Sequence, residues 1–120
     1  MTSIDIYAPY LTGAEVSPGG EVFLTSSNAL LFVDHCDRLG LAIIGIDGAR
    51  ITPYEKELYL DAIGDASPTS AMPWEAFRET RKRFAQNCLR ELIHEKGADT
   101  YFSFVILDAE EYADTLRRLR

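Results

Sequence analysis

The residues best suited to a chemical role lie in one acidic, tyrosine-containing segment, DGARITPYEKELYLDAIGD, at positions 47–65. Carboxylates interleaved with exposed tyrosines are a common composition for a surface that recognises a cationic partner. The residues predicted to form such a surface are Asp47, Tyr54, Glu55, Glu57, Tyr59, Asp61 and Asp65. Surface charge scattered for solubility accounts for the same residues equally well.

The glycines of LGLAIIGIDGARI, residues 39–51, raise the question of a phosphate-binding loop. Gly45 and Gly48 are spaced as neither G-x-G-x-x-G nor a P-loop requires. A phosphate cradle also needs a helix N-terminus directly after its glycines, and the following residues, Arg50 to Pro53, do not begin a helix pattern. The glycines are therefore predicted to permit a β-bulge or a tight turn, with turns at Asp47-Gly48 and at Pro53.

The cluster DHCD, residues 34–37, has the composition of a metal site but not its geometry. Successive side chains on a helix point about 100° apart, so Asp34, His35 and Cys36 do not converge. Asp34 and Asp37 share a face, but two carboxylates make a poor transition-metal site. We expect a solvated helix face here and no bound metal.

Other candidates for catalysis have simpler explanations. Ser26 and Ser27 lack a G-x-S-x-G elbow and suit a helix cap. His94 lies near a helix end without Cys or His at ligand spacing. Cys36 and Cys88 fall at apolar helical positions and are predicted to be reduced core residues. The sequence predicts no catalytic residue and no cofactor, and the basic run RETRKR, residues 78–83, is expected to pair within its own helix.

Composition favours one globular domain. The chain has 120 residues, of which 47% are hydrophobic and 26% charged, and such a length buries one core. Residues 1–65 hold ten acidic and three basic side chains, whereas residues 66–120 hold nine of each. The acidic half would repel nucleic acid and attract a basic protein. No apolar run reaches the length of a membrane span and no basic signal region begins the chain, so a cytoplasmic protein is expected.

The order of predicted elements favours an α+β fold. Residues 1–20 are treated as a lead-in segment with a strand-like piece, IDIYAPYL, and a turn at Pro18-Gly19-Gly20, and residues 21–120 as a single domain. Apolar periodicity and turn residues predict the elements of that domain: strands in EVFLT, LAIIGI, ELYLDAIG and YFSFVIL, helices at 28–39 and 73–96, and a short helix capped by Asp108 and extending to Leu119. This β-α-β-β-α-β order is that of the ferredoxin-like fold, with the helices on one face of the sheet and a C-terminal helix added.

The progression of motifs resembles a known family. SSNALLFVDHCDRLG runs into LAIIGIDGARI and a tyrosine-containing acidic segment, and PWEAFRETRKRFAQNCLREL later leads into YFSFVIL. Together these residues, from 22 to 107, resemble immunity protein 40, a family of bacterial polymorphic-toxin immunity proteins. The family pattern has a helix ending in Leu-Gly, a strand ending in Gly-Gly-Asp and a helix beginning with Trp-Glu. This chain differs in having Gly45-Ile46-Asp47 and Gly48-Ala49 at the strand end.

The resemblance implies a non-enzymatic cytoplasmic inhibitor that binds a cognate protein toxin and blocks its active site. The acidic half suits that role, because nuclease toxins are often basic. Two other classes of protein stay open at this point. One is a small ferredoxin-like enzyme or ligand-binding module with its pocket on the sheet. The other is an interaction domain that forms a homodimer through an edge strand.

Overall fold

The computed structural model describes residues 4–59 and 72–118 of the chain. Within these ranges the elements are, in chain order, a 3-10 helix (Ile4–Tyr10), β1 (Glu15–Val16), β2 (Val22–Thr25), α1 (Ser26–Arg38), β3 (Ala42–Ile51), β4 (Lys56–Tyr59), α2 (Trp74–Lys96), β5 (Tyr101–Leu107) and α3 (Ala109–Arg118). The predicted helices and the strands EVFLT, LAIIGI and YFSFVIL correspond to elements of this structure. The predicted strand ELYLDAIG corresponds to β4 only as far as Tyr59, because its remainder lies outside the described residues.

The five strands form one sheet with the order β1-β2-β5-β3-β4, and every neighbouring pair is antiparallel. The sheet contains two β-α-β crossovers. Helix α1 connects β2 to β3, with β5 between them, and α2 connects β4 to β5, with β3 between them. The prediction of an α+β fold is confirmed. The ferredoxin-like strand order is not confirmed, because the element order along a chain does not determine which strands become neighbours.

Local signals explain where α1 begins and ends. Thr25 is the N-cap, and its hydroxyl accepts a hydrogen bond from the Asn28 amide at 3.4 Å. At the other end Gly40 has φ +73°, and Leu41 donates its amide hydrogen to the Cys36 carbonyl at 2.8 Å. This is a Schellman termination, which glycine adopts without the steric cost of a Cβ. The predicted end of this helix, at residue 39, is therefore confirmed to within one residue.

Helix α2 follows Pro73 and ends at Gly97, as its sequence predicts. Its buried residues are Phe77, Arg81, Ala85, Leu89 and Leu92, which are spaced three or four apart and so form one stripe. Arg81 belongs to this stripe although it is charged, with 8% of its surface exposed. Its Nε donates a hydrogen bond to the Ile43 carbonyl at 2.9 Å, so this charged residue links α2 to β3.

Strand β3 is longer than predicted. A register shift against β5 between Ile43 and Gly45 marks a β-bulge at Ile44, in line with the predicted role of Gly45. The predicted turn at Asp47-Gly48 is wrong, because Gly48 pairs with Phe102 on one side and Tyr59 on the other. Pairing on both sides outweighs the turn propensity of Asp-Gly, and a glycine leaves room between two aromatic neighbours.

The main core lies between the sheet and the two long helices. Alternate residues of the strands face it, namely Val22, Leu24, Ile43, Ile46, Phe102, Phe104 and Ile106, and they meet Phe32 and Leu89 from the helices. Arrangement of α1 and α2 over one sheet face agrees with prediction. A second cluster joins Ala42 and Leu107 to Phe77 and Tyr112, and it anchors α3, whose predicted cap Asp108 forms a reciprocal capping box with Glu111 at 2.8 and 2.9 Å.

The N-terminal segment contributes to this core. The expected strand in IDIYAPYL is instead a 3-10 helix, whose period of three places Tyr7 and Tyr10 on one side. Tyr7 stacks on Phe32 with 4.7 Å between ring centroids, and Tyr10 meets the same ring edge-on at 5.8 Å. The predicted turn after Pro18 is present and joins β1 to β2. Within the described ranges, no helix has the length and apolar character needed to cross a membrane.

Candidate interaction surface

The turn between β3 and β4 is tightly hydrogen-bonded. Thr52 donates its amide hydrogen to the Glu55 carbonyl at 2.9 Å. Its hydroxyl oxygen also accepts hydrogen bonds from the amides of Tyr54 at 3.3 Å and Glu55 at 3.1 Å. A threonine side chain that satisfies two turn amides fixes the backbone at the tip. The turn predicted at Pro53 is confirmed, and it presents the next residue in a defined position.

That residue, Tyr54, is 95% exposed. Glu55 stands beside it and pairs with Arg50 at 3.6 Å, and Glu57 lies directly opposite Arg50 in the β3–β4 register. Both carboxylates are exposed. The tip of this hairpin therefore combines an aromatic ring with two acidic side chains and one arginine. We call Tyr54, Glu55 and Glu57 the hairpin surface.

The other predicted surface residues are not at the hairpin tip. Asp47 is half-buried in the middle of β3, opposite Ser103, and strand alternation puts it on the sheet face opposite to Arg50 and Glu57. Tyr59 is half-buried against the main core, with the Lys96 ammonium 5.0 Å from its ring centroid. Asp61 and Asp65 lie outside the described residues. Of the seven predicted residues, the hairpin thus brings three together.

A groove of about 590 Å³ adjoins the hairpin surface. Its walls are β1 with the following turn on one side and the β3–β4 hairpin on the other, and its lining consists of Glu15, Val16, Ser17, Pro18, Phe23, Ile51, Thr52, Pro53, Tyr54, Glu55 and Lys56. Lys56 places its Nζ 4.7 Å from the Phe23 ring centroid, although two strands separate β4 from β2 in the sheet. The sheet must therefore be strongly curled, and the groove lies inside the curl.

Half of this groove lies outside the surface that the sequence predicts. Glu15, Val16 and Pro18, which belong to the predicted lead-in segment, form one wall. The Pro-Gly-Gly turn gave a usable signal, since a hairpin through it pairs Glu15 with Phe23. The contact between Lys56 and Phe23 left no such signal, because it depends on the curl of the whole sheet.

No known protein family, curated protein or solved structure matches this chain. The resemblance to immunity protein 40 therefore stays a prediction that rests on sequence motifs.

The acidic and basic residues of α1 and α2 are engaged with each other. Asp37 accepts hydrogen bonds from Arg78 at 2.6 Å and from Lys82 at 3.1 Å, and Arg78 also contacts Glu75 at 2.5 Å. Hydrogen bonding to Glu75 is the main cause that raises the pKa of Arg78. The expected pairing of Glu79 with Arg83 is confirmed at 3.1 Å. The expectation that the run RETRKR pairs within its own helix is therefore met only in part, because Arg78 and Lys82 also join α2 to α1 through Asp37.

Buried titratable groups belong to the core. Cys36 and Cys88 are free thiols, as predicted, and burial raises the pKa of Cys36 to about 12. Burial, with the nearby Cys36 as a smaller cause, also raises the pKa of Tyr7 to about 12. A thiol with a raised pKa is a weak nucleophile. Among the described residues, no group of three or more His, Cys, Asp or Glu side chains is arranged to hold a metal ion.

Proposed function

We propose that the chain is a non-enzymatic immunity protein that binds and neutralises a cognate bacterial toxin in the cytoplasm of the cell that makes both. The proposal combines the family resemblance with one structural observation, the 95% exposure of Tyr54 on a hydrogen-bonded turn. A tyrosine so exposed contributes little burial to the fold. Tyrosine is among the residues that most often dominate binding energy at protein interfaces.

The rigidity of the turn supports this role. A turn whose backbone is already fixed loses little backbone entropy on binding, which favours affinity. Thr52 supplies that fixation through its hydrogen bonds to the amides of Tyr54 and Glu55. The hairpin surface therefore has the properties of a preformed contact site.

Charge supports a basic partner. Glu55 and Glu57 follow Tyr54 closely in the sequence, and residues 1–65 carry a formal charge of −7. Opposite charge on a partner accelerates encounter, and this acceleration decreases as salt increases. A toxin whose active site is basic, such as one that binds phosphate groups, fits this surface best.

The test uses the toxin encoded beside this gene in the genome of origin. The chain should protect bacteria that express this toxin and should bind it in purified form, with an association rate that falls as salt is added. Tyr54→Ala should weaken binding at least tenfold, which corresponds to about 1.4 kcal/mol. The double charge reversal Glu55→Lys/Glu57→Lys should mainly slow association.

A matched control keeps the change of charge but moves it to another surface. Glu91 and Glu95 are exposed and one turn apart on α2, so Glu91→Lys/Glu95→Lys alters net charge equally. This control should retain protection and binding. Thermal melting of all variants should show that they are folded. Full protection by Tyr54→Ala and by Glu55→Lys/Glu57→Lys would exclude the hairpin surface, and absence of any binding to the toxin would refute the proposed function.

A further inference from the structure

The groove beside the hairpin surface already contains a cation from the chain itself. The Lys56 ammonium lies 4.7 Å from the centre of the Phe23 ring, within the range of a cation–π interaction. Phe23 is almost fully buried, with 1% of its surface exposed. One ring face thus serves as a floor on which a positive charge is favourable.

Carboxylates surround this position. Glu15 and Glu55 line the groove, and the carboxylate of Glu21 lies 4.0 Å from Lys56. Three acidic side chains, Glu15, Glu21 and Glu55, thus lie in or beside the groove together with two cations, Lys56 and Arg50, the latter paired with Glu55 at 3.6 Å. This excess of carboxylates favours a further positive group.

Lys56 is held loosely enough to be displaced. Its side chain is 38% exposed, and its ion pair with Glu21 is at the limit of contact. Exposed ion pairs and cation–π contacts of exposed ammonium groups are both weak interactions. A cation from a partner can make the same contacts with the Phe23 ring and the carboxylates. It can therefore replace Lys56, whose side chain then extends into solvent.

The groove walls offer apolar contact to whatever carries that cation. Val16 is 51% exposed on one wall, and Pro18 and Pro53 stand on opposite walls. Tyr54 lines the same groove at the hairpin tip. The groove thus extends to Tyr54 and Glu55 of the hairpin surface, and one partner segment can contact the groove and these two residues.

We infer that the groove receives an arginine or lysine side chain from a basic segment of the partner protein, and that this side chain takes the place of Lys56 over Phe23. The inference rests on the proposed function, because it specifies the chemistry of the partner at the same surface. Lys56 then acts as a built-in competitor. Its removal should strengthen binding, whereas loss of most interface residues weakens it.

The test uses acetyl-Gly-Arg-Gly-amide as the probe and the same peptide with citrulline, which has the shape of arginine without its charge. Two-dimensional amide NMR of the labelled full chain should show saturable shifts at Val16, Phe23 and residues 51–56 with the arginine peptide. Citrulline should cause much smaller shifts. Equal shifts with both peptides, or arginine shifts elsewhere on the protein, would overturn the inference.

Lys56→Met should tighten binding of the arginine peptide by about two- to fivefold, the range expected for loss of one exposed cation–π competitor. Lys96→Met is the matched control, because Lys96 also lies over an aromatic ring, that of Tyr59, at 5.0 Å, outside the groove lining. It should leave peptide binding unchanged. Glu15→Gln should weaken binding. Equal affinity of Lys56→Met and the unaltered protein would refute the displacement of Lys56.

The peptide experiment requires no toxin, so its outcome is separable from that of the proposed function. Peptide binding in the groove without toxin binding would refute the proposed function and keep the cation site. Toxin binding that is insensitive to Lys56→Met and Glu15→Gln would keep the proposed function and refute the groove as the place where the toxin inserts a cation.

Discussion

The Nε of Arg81 donates a hydrogen bond to the carbonyl oxygen of Ile43 at 2.9 Å, joining α2 to β3 beside the bulge at Ile44. The guanidinium also lies 4.3 Å from the Phe84 ring centroid. A bulge leaves backbone groups without their ladder partners. Arg81 therefore supplies a donor where the sheet hydrogen bonding is irregular.

Arg81→Met should lower the free energy of unfolding by about 1–3 kcal/mol, because a buried carbonyl loses its donor. Urea denaturation measures this change. Arg90→Met is the control, since Arg90 is exposed on the same helix, and its effect should be within about 0.5 kcal/mol. Equal stability of Arg81→Met and the unaltered protein would show that the contact contributes nothing.

Asp37→Asn should destabilise the contact between α1 and α2 by about 1 kcal/mol, because Asp37 bridges Arg78 and Lys82 while remaining partly exposed. The loss should shrink in about 1 M salt, where charges are screened within a few ångströms. Unfolding curves at low and high salt give this comparison. Glu79→Gln, which removes only the exposed pair with Arg83, should cost less than about 0.5 kcal/mol.

Tyr7→Phe should reduce the fall in the free energy of unfolding that occurs at high pH. Burial raises the pKa of Tyr7 from 10.0 to about 12, so its unfolded form releases the proton first and the free energy of unfolding falls as pH rises from about 10 to 12. Phenylalanine keeps the ring but has no proton to release. Between pH 7 and about pH 11, the free energy of unfolding should therefore fall by about 1 kcal/mol less in the variant than in the unaltered protein.

The control for this pH dependence is Tyr54→Phe, which removes an exposed hydroxyl. Its stability curve should follow that of the unaltered protein from pH 7 to alkaline conditions. A Tyr7→Phe curve that falls in parallel with the unaltered protein would contradict the assignment of this proton to Tyr7.

Gly40→Ala should lower the melting temperature, with a cost of about 1 kcal/mol, because Gly40 has φ +73° and an alanine there is strained. The cost is purely conformational, since an added Cβ at Gly40 meets no atom within 4 Å. Gly19→Ala is a fair comparison, because Gly19 does not have a positive φ and its Cβ would make only an ordinary contact with Ser17. Equal melting of both variants would argue against strain.

Local signals allowed much of the fold to be predicted from sequence. The caps of α1 at Thr25 and Gly40 act within a few residues, and so do the turn at Pro53 and the capping box at Asp108. Segments whose structure depends on distant partners were harder to predict. The sequence Asp47-Gly48 is typical of a turn, but here it lies in a strand because β3 pairs with both β4 and β5. The 3-10 helix is favoured by the stacking of Tyr7 on Phe32, a residue distant in sequence.

The candidate site likewise has one part that the sequence predicts, the hairpin surface, and one part that it does not, the groove. Tyr54, Glu55 and Glu57 are close in sequence, so a hairpin alone is enough to group them. The groove needs Glu15 and Phe23 to meet Lys56 across the sheet. That meeting depends on strand order and curl, which arise from the packing of the whole domain and have no counterpart in a short motif.

The central position of β5 has a consequence for how the protein is made. Tyr101–Leu107 pairs with both β2 and β3, so these two earlier strands reach their sheet partner only after β5, which follows α2 in the chain, has been synthesised. Such long-range pairing slows folding. A nascent chain that stops after α2 lacks the strand that joins the two halves of the sheet, and we expect it to be captured by chaperones or degraded. The native sheet can therefore assemble only once β5 has emerged from the ribosome.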